Sequence, residues 1–357
     1  MLGKHITFFF VVLFEVVFAA TIFKPPSNYK VPRTLYARTL LLNQTDNAIL
    51  ATWENYSPEP PYFPVYQSKD LGKTWTELSR VTDQVNGWGL RYQPHLYELP
   101  VQMGNFSAGT LLMAGSSIPE DLAITQIDLY TSTDRGRTWT FVSHIARGGR
   151  GLPNNGETPV WEPFLMEYKG KMIVYYSDQR DRSAGQKMVH QVSSDLINWD
   201  TPVDDVKYST YSLRPGMPVV ALLPNGQYIY VYEYGGSPIK SFGIYYRMSA
   251  DPLNFRAAPE QVLRATDGTI PTSSPYVVWT PAGGSSGTIV VSANSHSEVF
   301  INKNLGAVNS WVKMATPSSR SYTRSLLTLP SKNDILIVGA GVLNGNNNAV
   351  TAETIRV

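Results

Sequence analysis

The amino-acid sequence predicts an all-β fold, a single six-bladed β-propeller formed by residues 20–357. Three observations lead to this prediction: a turn motif that recurs along the chain, a strand-turn-strand pattern that repeats six times, and 27 glycines and 25 prolines spread between short apolar runs. Many short strands separated by frequent turns are typical of sandwiches, barrels and propellers. The even repeat favours a propeller over a pair of smaller β domains.

The turn motif has two full copies, SKDLGKTW at Ser68–Trp75 and STDRGRTW at Ser132–Trp139. Degenerate copies follow at Ser193–Trp199 and Ser249–Phe255, and a remnant spans Ile301–Trp311. Successive copies lie about fifty to sixty-five residues apart, the spacing of a four-stranded propeller blade with its loops. The aspartate is suited to accept hydrogen bonds from its own turn, the glycine supplies a positive φ, and the tryptophan covers the hairpin. The motif therefore predicts the fold and says little about function.

The six repeats of the strand-turn-strand pattern define six blades. They occupy residues 37–55, 91–117, 160–178, 214–235, 273–296 and 321–341. The sixth blade lacks part of its outer strands, of which Thr351–Val357 supplies one. We expect the start of the mature chain to supply another, because such closure leaves no open sheet edge.

Residues 1–19 have the pattern of a secretory signal peptide. Lys4 and His5 precede the apolar run Ile6–Phe18, and a small residue, Ala19, follows. The run is too short for a comfortable membrane span, and no later stretch is long enough. We therefore expect a secreted, extracellular protein that acts as a monomer and has no membrane partner.

Composition excludes other classes of function. The net charge of +2 comes with no basic run, which gives no support for nucleic-acid binding. The chain has no cysteine, so a large core must stabilise it outside the cell. The five histidines show no metal-ligand spacing and the aspartates form no calcium loop, so we expect no metal and no cofactor. Three sequons are candidate glycosylation sites in a secreted chain: Asn43, Asn55 and Asn105.

Propeller geometry predicts which residues meet at the central channel. The starts of the first strands and the ends of the second strands share one rim, and the repeated turns fall on the opposite face. Planar rings suited to stacking on sugars and charged groups suited to binding hydroxyls gather at this rim. The candidate site residues are Arg38, Arg91, Trp161, Glu162, Asp178, Arg214, Glu233, Tyr234, His296 and Tyr322.

Two carboxylates on neighbouring blades stand out within this set. Glu162 follows Trp161, and Glu233 lies between Tyr232 and Tyr234. Partial burial raises the pKa of a carboxyl group, which suits a general acid, and two carboxyl groups flanking a glycosidic bond are the minimal machinery for its hydrolysis. Either glutamate alone could simply accept backbone hydrogen bonds. Two of them on one aromatic rim favour a carbohydrate-cleaving site.

Weaker candidates keep a structural interpretation. Glu54 and Asp178 could pair with Arg38 and Arg180 and do no more than orient loops. His296 could face the pocket, although a loop histidine at the surface is commoner.

With these residues in place, the chain resembles the fungal exo-arabinanases of glycoside hydrolase family 93, secreted propellers related to sialidases. The resemblance covers the mature chain and rests on the repeated turns, known as Asp-boxes in sialidases, on WEPFL around Glu162, on YVYEYGG around Glu233, and on SYTRSLL around Tyr322. It implies that α-1,5-linked L-arabinan, or an arabino-oligosaccharide, is cleaved from one end with release of arabinobiose and retention of configuration. It also implies Glu162 as nucleophile and Glu233 as general acid/base, with Tyr322 near the reacting sugar.

Local sequence adds two expectations. The Tyr-rich end of the second strand could keep Glu233 protonated, which supports this order of roles. The long loops Glu54–Tyr66 and Ala146–Val160 could close one end of the pocket, as exo action requires.

Two alternatives remain. A sialidase would need an arginine triad, of which Arg38 and Arg214 with Tyr322 mimic part, but blade 5 has Ser273–Pro275 where an arginine is expected. A non-catalytic lectin would keep the aromatic rim without needing paired carboxylates.

Overall fold

The computed structural model describes residues 20–43 and 47–357. They form only β-strands; the described part of the chain has no helix and therefore no candidate membrane-crossing helix. The predicted signal peptide, residues 1–19, lies outside the described residues. The strands are β1 Ala20–Phe23, β2 Thr34–Leu41, β3 Ile49–Asn55, β4 Phe63–Ser68, β5 Thr76–Val81, β6 Leu90–Glu98, β7 Leu111–Ser117, β8 Thr125–Ser132, β9 Thr140–Gly148, β10 Val160–Tyr168, β11 Lys171–Asp178, β12 Lys187–Ser193, β13 Val203–Val206, β14 Arg214–Leu222, β15 Tyr228–Gly235, β16 Gly243–Ser249, β17 Gln261–Val262, β18 Tyr276–Thr280, β19 Thr288–Ser292, β20 Val299–Asn302, β21 Trp311–Met314, β22 Ser325–Thr328, β23 Asp334–Gly339 and β24 Val350–Arg356.

The strands form six antiparallel sheets of four, which confirms the six-bladed propeller. Blades 1 to 5 take consecutive strands: β2–β5, β6–β9, β10–β13, β14–β17 and β18–β21. Blade 6 joins β22–β24 to β1, where Ala20 pairs with Ala352. The first and last described strands thus share one sheet and close the ring, as the sequence predicts.

The apolar core lies between the faces of neighbouring blades. Every side chain of β3 and of β7 is buried, because a second strand is covered on both faces. This arrangement explains why these strands are nearly continuous apolar runs without polar alternation. Between blades 3 and 4, the ring of Tyr230 stacks on Phe255 at 4.6 Å and lies 5.4 Å from Tyr175.

The repeated turns join the third and fourth strands of their blades and form the predicted local bonds. Asp134 accepts hydrogen bonds from the hydroxyl of Ser132 at 2.8 Å and from the backbone N–H of Thr138 at 2.9 Å. Gly136 has a φ of +86°, and the indole of Trp139 donates to its carbonyl at 3.1 Å. Such bonds hold the turn in place on the face opposite the rim.

A positive φ recurs at the equivalent position near the start of the first strand of each blade, a feature that the sequence did not predict. The six residues are Tyr36, Gln93, Glu162, Met217, Ser274 and Thr323, with φ between +47° and +62°. In blades 1 to 4 a register shift accompanies this conformation. A left-handed conformation is costly for residues other than glycine, so surrounding contacts must fix it. The bulge re-aims the side chains and N–H groups at the mouth of the channel.

The three sequons lie in different environments. Asn43 and Asn105 are exposed. Asn55 is buried at the end of β3, where its amide donates to the carbonyl of Ser57 at 2.6 Å. A glycan has no room at Asn55.

Candidate active site

A pocket of about 860 Å³ opens at the rim formed by the starts of the first strands. Two loops expected to wall it do contribute: Tyr56 follows Glu54, and Gly151–Pro153 belongs to the loop before β10. The pocket is lined by Leu35, Glu54, Tyr56, Tyr92, Gln93, Leu122, Gly151, Leu152, Pro153, Trp161, Glu162, Gln186, Arg214, Glu233, Ser241, Phe242, Thr272, Ser273, Tyr322 and Leu343. Glu162 and Glu233 therefore share one pocket.

Glu162 occupies the bulge of β10 and is held by two short hydrogen bonds to one carboxyl oxygen. The hydroxyl of Ser177 donates to Oε2 at 2.7 Å, and the backbone N–H of Met217 donates to the same atom at 2.8 Å. Burial raises the pKa of Glu162, while these two bonds and the charges of Arg214 and Arg38 act in the opposite direction. The bonds stabilise the ionised form and fix the carboxylate in place.

Glu233 lies in β15 of the next blade and is more strongly biased toward its protonated form. Its Oε2 accepts one hydrogen bond of 2.8 Å, from the backbone N–H of Ser274. Burial and then the charge of Glu162 raise the pKa of Glu233 to about 7. Burial raises the pKa of both carboxyl groups, and the charge of Glu162 adds to the elevation at Glu233, as suits a general acid beside an ionised carboxylate.

The tyrosines beside Glu233 make their own contacts away from the pocket. Adjacent residues of a strand point to opposite faces of the sheet. Tyr232 bonds to Glu260, and the ring of Tyr234 stacks on Tyr208 at 4.2 Å. Tyr234 accordingly does not line the pocket.

Gly216 keeps the space between the two glutamates open. It pairs with Glu233 across β14 and β15. A Cβ atom at this position would lie 3.5 Å from Oε2 of Glu162 and 2.5 Å from the amide nitrogen of Gln186. The other five blades carry a side chain just before the bulge: Leu35, Tyr92, Trp161, Ser273 and Tyr322.

Three further predicted residues line the pocket beside the glutamates. The indole of Trp161 donates to the side chain of Gln179 at 2.9 Å, and Arg214 donates to the same oxygen at 2.9 Å. Arg214 thus bonds to neutral partners and keeps its charge close to Glu162 and Glu233. Burial, and then the two carboxylates, raise the pKa of Tyr322 well above 10, so its phenol stays neutral.

The remaining predicted site residues lie outside the pocket lining: Arg38, Arg91, Asp178, Tyr234 and His296. Arg38 is buried between the rings of Tyr36 and Tyr276, at 4.0 Å and 4.9 Å from their centroids. Its side chain donates to the carbonyl of Ala37 at 2.8 Å, and no ion pair with Glu54 forms. The bulge at Tyr36 lies between Arg38 and the rim, which explains why strand position alone misplaced this side chain.

Arg91 and Asp178 each have a structural partner. Arg91 forms two parallel hydrogen bonds of 2.8 Å with Glu59. Asp178 pairs with Arg180 at 2.8 Å, which matches the structural interpretation of its sequence position. His296 bonds to the adjacent serine hydroxyl at 2.6 Å.

Glu54 is the pocket residue that sequence reasoning undervalued. It is a third buried carboxyl group in the same cavity as the catalytic candidates. Burial raises its pKa to about 8. The signal was available in the sequence, because Glu54 lies near the end of the second strand of blade 1 as Glu233 lies near the end of that of blade 4.

The pocket lacks a sialidase-type arginine cluster, and the described residues form no metal site. Arg214 is the only arginine that lines the pocket among residues 20–43 and 47–357. Within the same ranges, no group of three or more His, Asp or Glu side chains is placed to hold a metal ion.

No protein-family profile matches the chain, and no curated protein matches it. Solved structures do. An α-L-arabinanase of Penicillium chrysogenum, in complex with arabinobiose, is 58% identical with a TM-score of 0.92, covering 95% of this chain and 97% of its own. The GH93 α-L-arabinofuranosidase of Fusarium graminearum, also with arabinobiose, is 54% identical with a TM-score of 0.93, covering 95% and 98%. A Streptococcus pneumoniae sialidase, 10% identical with a TM-score of 0.60 over 95% and 70%, shares the fold alone.

Proposed function

This chain belongs to glycoside hydrolase family 93, and on that premise we propose that it hydrolyses α-1,5-linked L-arabinan from one chain end and releases arabinobiose. The observation that carries the proposal is the pair Glu162 and Glu233, held in one pocket by neighbouring blades, with more hydrogen bonds from the protein to the Glu162 oxygen and a pKa of Glu233 raised to about 7. Two solved relatives that share more than half of the sequence, an α-L-arabinanase and an α-L-arabinofuranosidase, have arabinobiose bound. We infer a retaining mechanism that uses the two carboxyl groups.

In the first step, Glu233 donates its proton to the glycosidic oxygen of the departing sugar. Glu162 attacks the anomeric carbon, and the bond between that carbon and the leaving oxygen breaks. The products are the shortened sugar leaving group and a covalent glycosyl ester of Glu162. The bonds from Ser177 and Met217 hold one oxygen of Glu162 and leave the other free to attack.

In the second step, the deprotonated Glu233 takes a proton from water while the water oxygen attacks the anomeric carbon. The ester bond to Glu162 breaks, the sugar leaves with its original configuration, and Glu233 regains its proton. Loss of the negative charge of Glu162 in the intermediate lowers the pKa of Glu233, because that charge is one cause of its elevation. The same residue is thereby suited to act as acid and then as base.

Exo action agrees with the shape of the cavity. The loop residues Tyr56, Leu152 and Pro153, together with Phe242 and Leu343, add walls above the strand ends. A pocket admits a chain end, whereas an internal cut needs an open cleft. The volume of about 860 Å³ is enough for a short oligosaccharide end.

The direct experiment is incubation of the purified protein with linear α-1,5-arabinan, followed by chromatography of the products. We expect arabinobiose as the accumulating product from the wild type and its loss in both Glu162→Ala and Glu233→Ala. Glu260→Gln, a carboxyl group outside the pocket, is the matched control and should keep activity. Release of arabinobiose by either alanine variant at the wild-type rate would contradict the proposal, as would no release by the wild type.

The sialidase alternative has less support. A sialidase binds a substrate carboxylate with three arginines, and the described pocket presents Arg214 alone. We further propose that the enzyme acts outside the cell as a monomer, where its polymeric substrate would be found. Appearance of the protein in the medium of expressing cells, with loss of residues 1–19, would test the location.

A further inference from the structure

Glu54 occupies in blade 1 the position that Glu233 occupies in blade 4. Glu54 pairs with Leu35 and Glu233 pairs with Gly216, and each of these partners directly precedes the positive-φ residue of its first strand. Each glutamate also accepts a hydrogen bond from the bulge N–H of the following blade: Gln93 at 3.0 Å for Glu54 and Ser274 at 2.8 Å for Glu233. Blades 1 and 4 lie on opposite sides of a six-bladed ring, so Glu54 lies across the pocket from Glu233.

Glu54 is buried without a cationic partner. It is 3% exposed, and among the described residues no lysine or arginine nitrogen forms an ion pair with it. An unpaired buried carboxylate is costly, so burial favours the neutral acid and raises the pKa of Glu54 to about 8. The titratable or charged groups that interact with it are Tyr36, Arg38, Tyr56, Tyr92, Glu162 and Tyr322.

When Glu54 is neutral, the pair that it forms with Tyr56 has one O–H group more than their mutual hydrogen bond uses. Its Oε2 lies 3.0 Å from the hydroxyl of Tyr56, which also lines the pocket. The neutral carboxyl and the phenol carry two O–H groups between them, and a single O–H satisfies their mutual contact. The other O–H is available to a ligand. When Glu54 is ionised, the phenol must donate to the carboxylate and no donor remains.

We propose that the neutral Glu54–Tyr56 pair donates a hydrogen bond to a hydroxyl of the arabinosyl unit at the chain end that enters the pocket. The inference rests on the proposed function and assigns Glu54 to substrate binding, across the pocket from the reacting bond.

Glu54→Gln tests the role of the proton. A glutamine amide can accept from Gln93 and can donate both to Tyr56 and to a ligand at every pH. Glu54→Ala removes the donor altogether. Glu98→Gln, a buried carboxyl group outside the pocket with a raised pKa, is the matched control.

The experiment is calorimetric titration of arabinobiose into the wild type and the three variants at pH 6 and pH 9. At pH 9 about a tenth of Glu54 remains neutral, so affinity should fall roughly tenfold more in the wild type than in Glu54→Gln. Titration of Glu233 affects both proteins equally and cancels in this comparison. Glu98→Gln should follow the wild type, and Glu54→Ala should bind weakly at both pH values.

Equal pH dependence in the wild type and Glu54→Gln would overturn the inference, and so would wild-type affinity in Glu54→Ala. The first comparison stands even if Glu54→Ala fails to fold, which a thermal melt would reveal. If the wild type neither binds arabinobiose nor degrades arabinan, the proposed function itself fails. If it degrades arabinan but the two pH dependences agree, only the role of Glu54 fails.

Discussion

Glu162 and Glu233 are the same residue type in the same pocket, and their surroundings separate their roles. Glu162 accepts hydrogen bonds from Ser177 and Met217 on one oxygen, whereas Glu233 interacts with Ser273 and Ser274 and also faces the charge of Glu162. Hydrogen bonds to the charged form favour ionisation, and a neighbouring like charge opposes it. The proposed order of roles therefore rests on contacts from Ser177 of the same blade and from residues near the start of the first strands of the two following blades.

The activity should have an alkaline limit set by Glu233. Its pKa of about 7 means that the acid needed in the first step loses its proton above that pH. We expect kcat/KM on arabino-oligosaccharides to fall about tenfold per pH unit above roughly pH 7 to 8. Initial rates between pH 4 and 9 would measure this limb. A flat profile up to pH 9, with tryptophan fluorescence showing an intact fold, would contradict the assignment.

Sequence reasoning predicted the pair because counting strands gives the end of the channel on which each residue lies. It did not predict the direction of individual side chains near the bulges. Arg38 lies two residues beyond the bulge at Tyr36, and its buried side chain does not line the pocket. Glu54 was undervalued because the sequence suggested an ion pair with Arg38. In the structure the side chain of Arg38 lies against the ring of Tyr36 instead. Bulges depend on contacts with the next blade, which no local pattern in the chain encodes.

At the level of elements, the inner strands build the site by a repeated distortion. Each blade contributes a positive-φ residue at the channel mouth, and three of these N–H groups hold the three pocket carboxyls: Gln93, Met217 and Ser274. In a regular strand these N–H groups would instead donate to carbonyl groups of the neighbouring strand in the same sheet. The strained backbone at the bulges thus provides the N–H groups that position the three carboxyl groups.

Gly216→Ala should impair catalysis more than stability. The added methyl group would contact Gln186 and approach Glu162, at the gap where the reacting bond must lie. We expect kcat/KM to fall about 10- to 100-fold, the size of effect caused by small misplacement of reacting groups. The thermal midpoint of the same preparation reports the stability.

The control for this change is Gly226→Ala. Gly226 has a φ of +78° in an open turn with no neighbour within 4 Å. That substitution should cost about 1 to 2 kcal/mol of unfolding free energy, because alanine disfavours a positive φ, and leave kcat/KM unchanged. If Gly216→Ala has wild-type activity, the gap beside Gly216 is not where substrate lies.

At the scale of the whole molecule, ring closure replaces the disulfides that the chain lacks. β1 completes blade 6 through pairing with β24, and Ile22 is buried in the core between blades 6 and 1. This closure was predictable, because the sixth repeat visibly lacks strands and a propeller cannot leave an edge open. Blade number followed from the six repeats of the strand-turn-strand pattern, and the spacing of the repeated turns agreed with it.

Ile22→Ala should therefore weaken the whole fold. Loss of a buried isoleucine typically costs about 2 to 5 kcal/mol, and the freed edge of β24 invites pairing between molecules. Urea unfolding and light scattering would measure the two effects. Thr21→Ala, an exposed position in the same strand, is the control and should match the wild type. Equal stability of the two variants would show that β1 does not close the ring in solution.

The central claim, that Glu162 attacks and Glu233 transfers protons, is tested most directly by azide rescue of the two alanine variants on an activated aryl arabinobioside. Azide replaces the missing nucleophile in Glu162→Ala, so we predict an arabinobiosyl azide of inverted anomeric configuration. In Glu233→Ala the glycosyl-enzyme still forms, and azide should yield the retained anomer. Reversed configurations, or no acceleration by azide in either variant, would contradict the account.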